Sequence, residues 1–155
     1  TETLAKYSQS ATASGSAGIA RPVINLRAVE VELNGAPVQD AEQDLILSDL
    51  KPGDQIAIHL SVDNYKGAFI NQVKLRYKLE ANFMPEVQTL PFTLDMAAEE
   101  LYPKDAEGWN LLSYGSPEEQ HYELTLTWNA SDTSPNYLFK RQDLPIKLIS
   151  EQVDN

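Results

Sequence analysis

Two histidines carry most of the chemistry this sequence could offer. His59 stands between Ile58 and Leu60, and His121 follows Glu118-Glu119-Gln120. Neither belongs to a His-Glu-x-x-His stretch, so the helix-borne imidazole pair that holds a catalytic zinc is absent. Both are read as surface residues. There is no cysteine, which removes thiolate metal sites, disulfides and cysteine nucleophiles. Asp40-Ala41-Glu42-Gln43-Asp44 sets carboxylates at alternate positions, as a calcium loop begins. Leu45 then replaces the required glycine and Lys51 the closing glutamate, so this is not an EF-hand. Glu99-Glu100, Asp105-Ala106-Glu107 and Glu118-Glu119 read as solvated acidic faces. A structural Ca2+ is the one ion carried forward for them; no other cofactor, and no enzyme activity, is expected. Tyr65, Trp109 and Tyr114 fall in expected loops. They form either a sugar-binding platform or packing beneath their own loops.

The chain has 155 residues, with 12 Lys+Arg against 23 Asp+Glu and a net charge of −11. That length suits one domain. The acidic balance lacks the basic footprint nucleic acid needs. No apolar run approaches the roughly 20 residues that span a bilayer.

The elements that must position these residues are strands. Ile56, Ile58, Leu60 and Val62 alternate with polar or small residues. Val73, Leu75, Tyr77 and Leu79 alternate with Lys74, Arg76, Lys78 and Glu80, and Tyr122, Leu124, Leu126 and Trp128 with Glu123, Thr125 and Thr127. Strict alternation predicts half-buried strands in antiparallel sheets. In 23–33, Ile24 and Leu26 share one parity and Val29, Val31 and Leu33 the other. This phase change predicts a bulge or bend near Ala28, and with it a strand able to serve both sheets. Residues 44–48, 91–96 and 144–149 are further short strands, with Pro145 at an edge or bulge. Asn34-Gly35, Lys51-Pro52-Gly53-Asp54 and Asn64-Tyr65-Lys66-Gly67 are turns. Residues 97–119 are a long loop or short helical insertion covering one end. The fold expected is an all-β antiparallel sandwich of immunoglobulin or jelly-roll type, occupying residues 19–155.

The first eighteen residues stand apart. Thr1, Glu2, Thr3, Leu4, Ala5, Lys6, Tyr7, Ser8, Gln9, Ser10, Ala11 and Thr12 have β-compatible chemistry but few large apolar side chains. Ala13, Ser14, Gly15, Ser16, Ala17 and Gly18 have the composition of a flexible linker. The segment is either a disordered tail or a strand that pairs with a sheet, including one on another molecule. A chain opening on Thr1-Glu2-Thr3 rather than Met is trimmed or processed; the processed reading expects a removed signal peptide.

Leu4-Ala5-Lys6-Tyr7-Ser8 through Ala20-Arg21-Pro22-Val23-Ile24 resembles the mature start of the TasA/camelysin family of secreted Gram-positive biofilm-matrix proteins. Leu50-Lys51-Pro52-Gly53-Asp54, an alternating strand and then Asn64 are similar to that family's L-x-P-G-[DS]…V-x-N stretch. The likeness covers roughly residues 4–80. Pro22 departs from it, and 97–119 has no counterpart. The resemblance implies a secreted jelly-roll subunit that polymerises head to tail with itself into an extracellular fibre. Residues 1–12 would be the strand donated to a neighbour and 13–18 the linker. Matrix polysaccharide is the second candidate partner, through a carbohydrate- or surface-binding module. A camelysin-type metalloprotease activity finds no His-Glu-x-x-His here to carry it.

Overall fold

The computed structural model describes residues 4–14, 22–38, 44–83, 90–133 and 141–153. Twelve strands are present, and no helix among the described residues. They are β1 (Leu4–Ser14), β2 (Asn25–Leu33), β3 (Ala36–Val38), β4 (Asp44–Leu47), β5 (Gln55–Asp63) and β6 (Tyr65–Lys66). Then come β7 (Phe69–Ile70), β8 (Leu75–Ala81), β9 (Phe92–Ala98), β10 (Asn110–Leu112), β11 (Glu119–Trp128) and β12 (Arg141–Gln152). One five-stranded sheet has the order β10-β8-β12-β1-β4; the other has β3-β2-β5-β11-β9. The small hairpin β6-β7 stands outside both. The protein is an all-β sandwich, as the alternation predicts.

The alternating residues build the core between the sheets. Ile56, Ile58, Leu60 and Val62 of β5, Leu124, Leu126 and Trp128 of β11, and Val31 of β2 are buried from one sheet. Leu75 and Tyr77 of β8 and Leu144, Ile146 and Leu148 of β12 meet them from the other. Each such aliphatic side chain contributes about 1.5–3 kcal/mol of burial. Trp128 stands edge-on to Phe92 at 5.8 Å between ring centroids. One polar network crosses this core: the Tyr77 hydroxyl of β8 bonds Gln120 of β11, and lies 2.6 Å from the Tyr122 hydroxyl. Burial pushes the Tyr77 hydroxyl far up from its ordinary pKa, helped by Tyr122, so it stays protonated and donates.

The bulge falls where the phase change puts it. The β2–β5 register shifts between Ala28 and Glu30, leaving Val29 60% exposed while Leu26 and Val31 both point into the core. The accompanying expectation fails: among the described residues β2 pairs with β3 and β5 alone and stays within one sheet. A single extra residue corrects the facing without changing the strand's partner. The 97–101 stretch makes no helical turn. Ala97 and Ala98 end β9, and Glu99 is held by a backbone bond from its N–H to the His121 carbonyl at 2.9 Å. Within the segment read as a loop, β10 adds an edge strand beside β8.

Asn34 and Gly35 turn with φ of 52° and 84°, the left-handed pair a two-residue hairpin requires. The Lys51–Asp54 turn locks onto this hairpin. Asn34 Nδ2 donates to Asp54 Oδ1 at 2.9 Å, and the Lys51 backbone N–H donates to Asp54 Oδ2 at 2.9 Å. Burial opposes charge on Asp54, yet the bonds from Asn34 and Lys51 outweigh it and hold the carboxyl below its ordinary range. A depressed folded pKa adds stability above the unfolded value of about 4, lost as pH falls through the folded pKa. Asp54→Ala therefore costs about 2–3 kcal/mol at pH 7 in urea denaturation. The gap from the parent narrows below about pH 4. A gap that stays constant to pH 2 rules out a charged Asp54 as its source.

β1 departs from the antiparallel expectation. It runs parallel to β12, from Leu4 beside Arg141 to Ser14 beside Glu151. On its other side β4 pairs antiparallel, Ala5 with Leu47 through Ser8 with Asp44. The strand runs two residues into the segment read as linker, through Ala13 and Ser14; Thr1–Thr3 and residues 15–18 lie outside the described residues. Pro145 is not at a sheet edge. It lies in β12 opposite Ser8, and the β8 register stops one residue short of it, at Ile146 with Ala81. A residue without an N–H is tolerated where one neighbouring strand has ended.

Candidate functional site

The polar site lies on the outer face of the β3-β2-β5-β11-β9 sheet. Positions of β5 that face away from the core are Ala57, His59, Ser61 and Asp63. Register supplies their neighbours. Glu30 of β2 and Glu123 of β11 flank His59; Arg27 and His121 flank Ser61; Asn25 and Glu119 flank Asp63. Three consecutive rows of this face are thus built from ionisable or polar residues.

The end near Asp63 is a cleft of about 820 Å3. Its walls are the β2 bulge at Ala28 and Val29 and the β6 segment Tyr65-Lys66-Gly67. Asp63, though only 2% exposed, accepts from Arg27 Nε at 2.7 Å and from Asn25 Nδ2 at 2.7 Å. Arg27 Nη2 also reaches Glu119 at 3.4 Å. Glu119 takes a bond from the Tyr65 hydroxyl and lies 3.4 Å from His121 Nε2. The Tyr65 hydroxyl, then His121 and Arg27, hold the Glu119 carboxyl below its ordinary range against its partial burial. Ser61 Oγ, buried in the floor, has no hydrogen-bond partner among the described residues.

Behind the cleft, Asn64 and Asn71 fix the loop that follows β10. Asn64 Nδ2 donates to the Ser113 carbonyl at 2.8 Å and the Ser116 carbonyl at 2.9 Å, while its Oδ1 accepts from Glu118 N–H at 2.7 Å. Asn71 Nδ2 donates to the Val73 carbonyl at 2.6 Å, and its backbone carbonyl accepts from Gly115 N–H at 2.7 Å. The L-x-P-G-D and V-x-N stretches are therefore structural fastenings.

The other end of the face centres on His59. Its Nε2 lies 3.2 Å from Glu32 Oε1 and its Nδ1 lies 3.4 Å from Glu99 Oε1. Two sets of ligand-type atoms converge there, from Glu30, Glu32 and His59 and from His59, Glu99 and Glu123, each within 4.8 Å of one another. Burial favours the neutral ring, but Glu99, Glu123 and Glu32 outweigh it and raise the pKa above the ordinary value.

Both histidines lie on the outer face, as their parity predicts, and each sits beside carboxylates there. Their common outward parity was the available signal, but parity does not reveal which strands are neighbours. The three aromatics do not share one platform, the first of the two arrangements open to them. Tyr65 lines the cleft, whereas Trp109 lies in the 105–110 turn with the Arg76 and Lys78 cations 4.4 and 4.3 Å from its ring centroid. Tyr114 borders a separate hollow with Lys74 and Leu111. Asp105 and Glu107 pair with Arg76 at 3.0 and 3.3 Å. In the Asp40–Asp44 stretch, Asp44 begins β4 and residues 40–43 lie outside the described residues.

Fold and face together define a class: an all-β sandwich carrying a polar cleft and a histidine–carboxylate cluster on one sheet. No family model matches this chain, and no curated protein matches it.

Proposed function

We propose that the protein is a structural subunit, not an enzyme, of a secreted extracellular filament, one that polymerises by exchanging its N-terminal strand with a neighbour. The observation that carries this reading is the seat of β1, between β12 and β4 in its own sheet. Main-chain pairing on both sides holds a segment whose large apolar residues are few, and main-chain pairing does not depend on which copy supplies the strand. A neighbour's β1 in the same register satisfies the same bonds. Exchange then costs little beyond loss of the closed monomer, and a head-to-tail contact of this kind grows an open filament. The resemblance to the TasA/camelysin family, with its jelly-roll domain and biofilm-matrix setting, points the same way. Negative-stain microscopy of the purified protein over rising concentration tests the reading: fibres are expected, and a monomer at every concentration and salt level overturns it.

The cleft favours a second reading, a carbohydrate- or surface-binding module. Tyr65 faces the same cleft as Asn25, Arg27, His121 and the unpartnered Ser61 hydroxyl, a mixture of ring face and hydrogen-bonding groups suited to a sugar. Tyr65→Ala would then reduce retention on polysaccharide at least tenfold with assembly unchanged. Retention equal to that of the parent removes this reading.

A further inference from the structure

A neutral imidazole has one N–H and one bare lone pair. His59 faces a carboxylate oxygen from each nitrogen, at 3.2 Å on Nε2 and 3.4 Å on Nδ1. With a neutral ring, one of these gaps sets acceptor against acceptor. Only a cation in that gap, a proton or a metal ion, resolves the contact. The two gaps differ. Glu32 has the shorter contact and the less exposed side chain, 28% against 43% for Glu99, which suits a standing Nε2–H bond to Glu32. Glu99, which meets Nδ1, is joined by Glu123: one ligand-type atom from each of His59, Glu99 and Glu123 lies within 4.8 Å of the others, and Glu123 stands directly opposite His59 in the β5–β11 register. These three residues come from β5, β11 and the chain just after β9, whose backbone is tied to β11 by the Glu99 N–H bond to His121. Tetrahedral coordination at bonds of about 2.0–2.2 Å sets ligand atoms about 3.3–3.6 Å apart, and His59 Nδ1 and Glu99 Oε1 stand at 3.4 Å.

We propose that His59 Nδ1, Glu99 and Glu123 form a binding site for one divalent transition-metal ion of the zinc class, with Glu32 accepting the His59 Nε2–H and orienting the ring. Three protein ligands leave a fourth position open to water or to a ligand atom from another molecule. The imidazole selects this ion class over calcium, which takes six to eight oxygens. A carboxylate on the far ring nitrogen is the usual support of a metal-binding histidine. The net charge of −11 draws cations to the surface. The site is independent of strand exchange and of the neighbouring cleft.

Zn2+ titration calorimetry on the full chain tests the assignment, with Co2+ absorption reporting geometry. The parent binds one equivalent with a Kd in the micromolar range or tighter, and Co2+ gives a tetrahedral spectrum. His59→Gln, and the Glu99→Gln/Glu123→Gln pair, each weaken binding at least 100-fold. Glu32→Gln weakens it about 10–100-fold through loss of ring orientation. Glu30→Gln and His121→Gln leave it unchanged. Absence of saturable binding by the parent overturns the proposal, as does binding that survives His59→Gln. Loss on Glu30→Gln with retention in the Glu99→Gln/Glu123→Gln pair overturns it too, by moving the ion to the other nitrogen. If His59→Gln fails to fold, the double variant decides alone, since Glu99 occupies an exposed bend.

Discussion

A disulfide between Ser10→Cys and Lys147→Cys stops fibre formation when oxidised and permits it again when reduced. These two positions are register partners in the parallel β1–β12 pair. The Cα separation of adjacent paired strands, about 4.7–4.9 Å, lies within the range a disulfide spans. The sequence has no cysteine of its own, so no competing thiol complicates the result. The bond fixes β1 in its own sheet, and exchange requires β1 to leave it. Polymer yield should drop at least tenfold under oxidising conditions and recover with reductant. Oxidised protein that still forms normal fibres disproves exchange, whatever else holds the fibres together. The companion experiment removes residues 1–14. Two neighbouring strands lose their partner, β12 gains an open edge and β4 is cut off from its sheet. The loss should exceed about 5 kcal/mol, more than nearly any single substitution. A synthetic peptide of residues 1–14 added in trans should recover a large part of that loss, because main-chain pairing does not require covalent continuity. A truncated chain as stable as the parent would show that β1 carries no share of the fold.

Tyr77→Ala has the second large effect, about 3–5 kcal/mol of destabilisation in urea or by thermal melt. Tyr77 is fully buried and stands edge-on to Tyr122 at 6.4 Å between ring centroids. Its hydroxyl is the β8 end of a polar network that crosses the core to Gln120 and Tyr122 of β11. The conservative variant separates volume from polarity. Tyr77→Phe keeps the ring but leaves the buried Gln120 oxygen without that donor, a cost of about 1–3 kcal/mol. Gln120 keeps its amide bonds to the Leu111 carbonyl at 2.9 Å and Glu118 at 2.6 Å, so the side chain cannot simply turn to recover the loss. The Tyr77→Phe value should therefore fall clearly below that of Tyr77→Ala yet remain measurable. Equal stability of Tyr77→Phe and the parent means that Tyr77 contributes through the packing of its ring alone.

Much of the fold was legible because side-chain alternation records burial directly. The Ile56–Val62 and Tyr122–Trp128 runs became β5 and β11 with the expected faces inward, and the one-residue slip around Ala28 became a bulge. Register was not legible. Pairing of strands far apart in sequence is decided by packing, so nothing local announced that Glu30 and Glu123 would flank His59, or that Arg27 and His121 would flank Ser61. The sites on the outer sheet face are products of that register. Short strands were missed for a different reason. Asn110–Leu112 and Tyr65–Lys66 are too brief for a period to show, and they pair because tight turns and buried asparagines hold them. The Ala97-Ala98-Glu99-Glu100 stretch has helix-forming composition, yet pairing of Ala97 and Ala98 with β11 overrides it. Pro145 was misplaced because a proline reveals only its missing N–H, not whether the neighbouring strand has already ended.

The parallel course of β1 and β12 also dictates how the domain can be used as a display scaffold. The two strands start together beside Leu4 and Arg141 and finish together beside Ser14 and Glu151. A cargo protein fused beyond residue 152 leaves from the end of the sandwich where β1 hands over to the connection toward β2. There its bulk would stand beside the end of β1 at Ser14. A cargo placed ahead of Leu4 leaves from the opposite end, where it must travel with the strand into any neighbour that receives it. An insertion at the exposed Gly67 turn of the β6-β7 hairpin avoids both ends, and is the position from which a fused domain should leave assembly undisturbed.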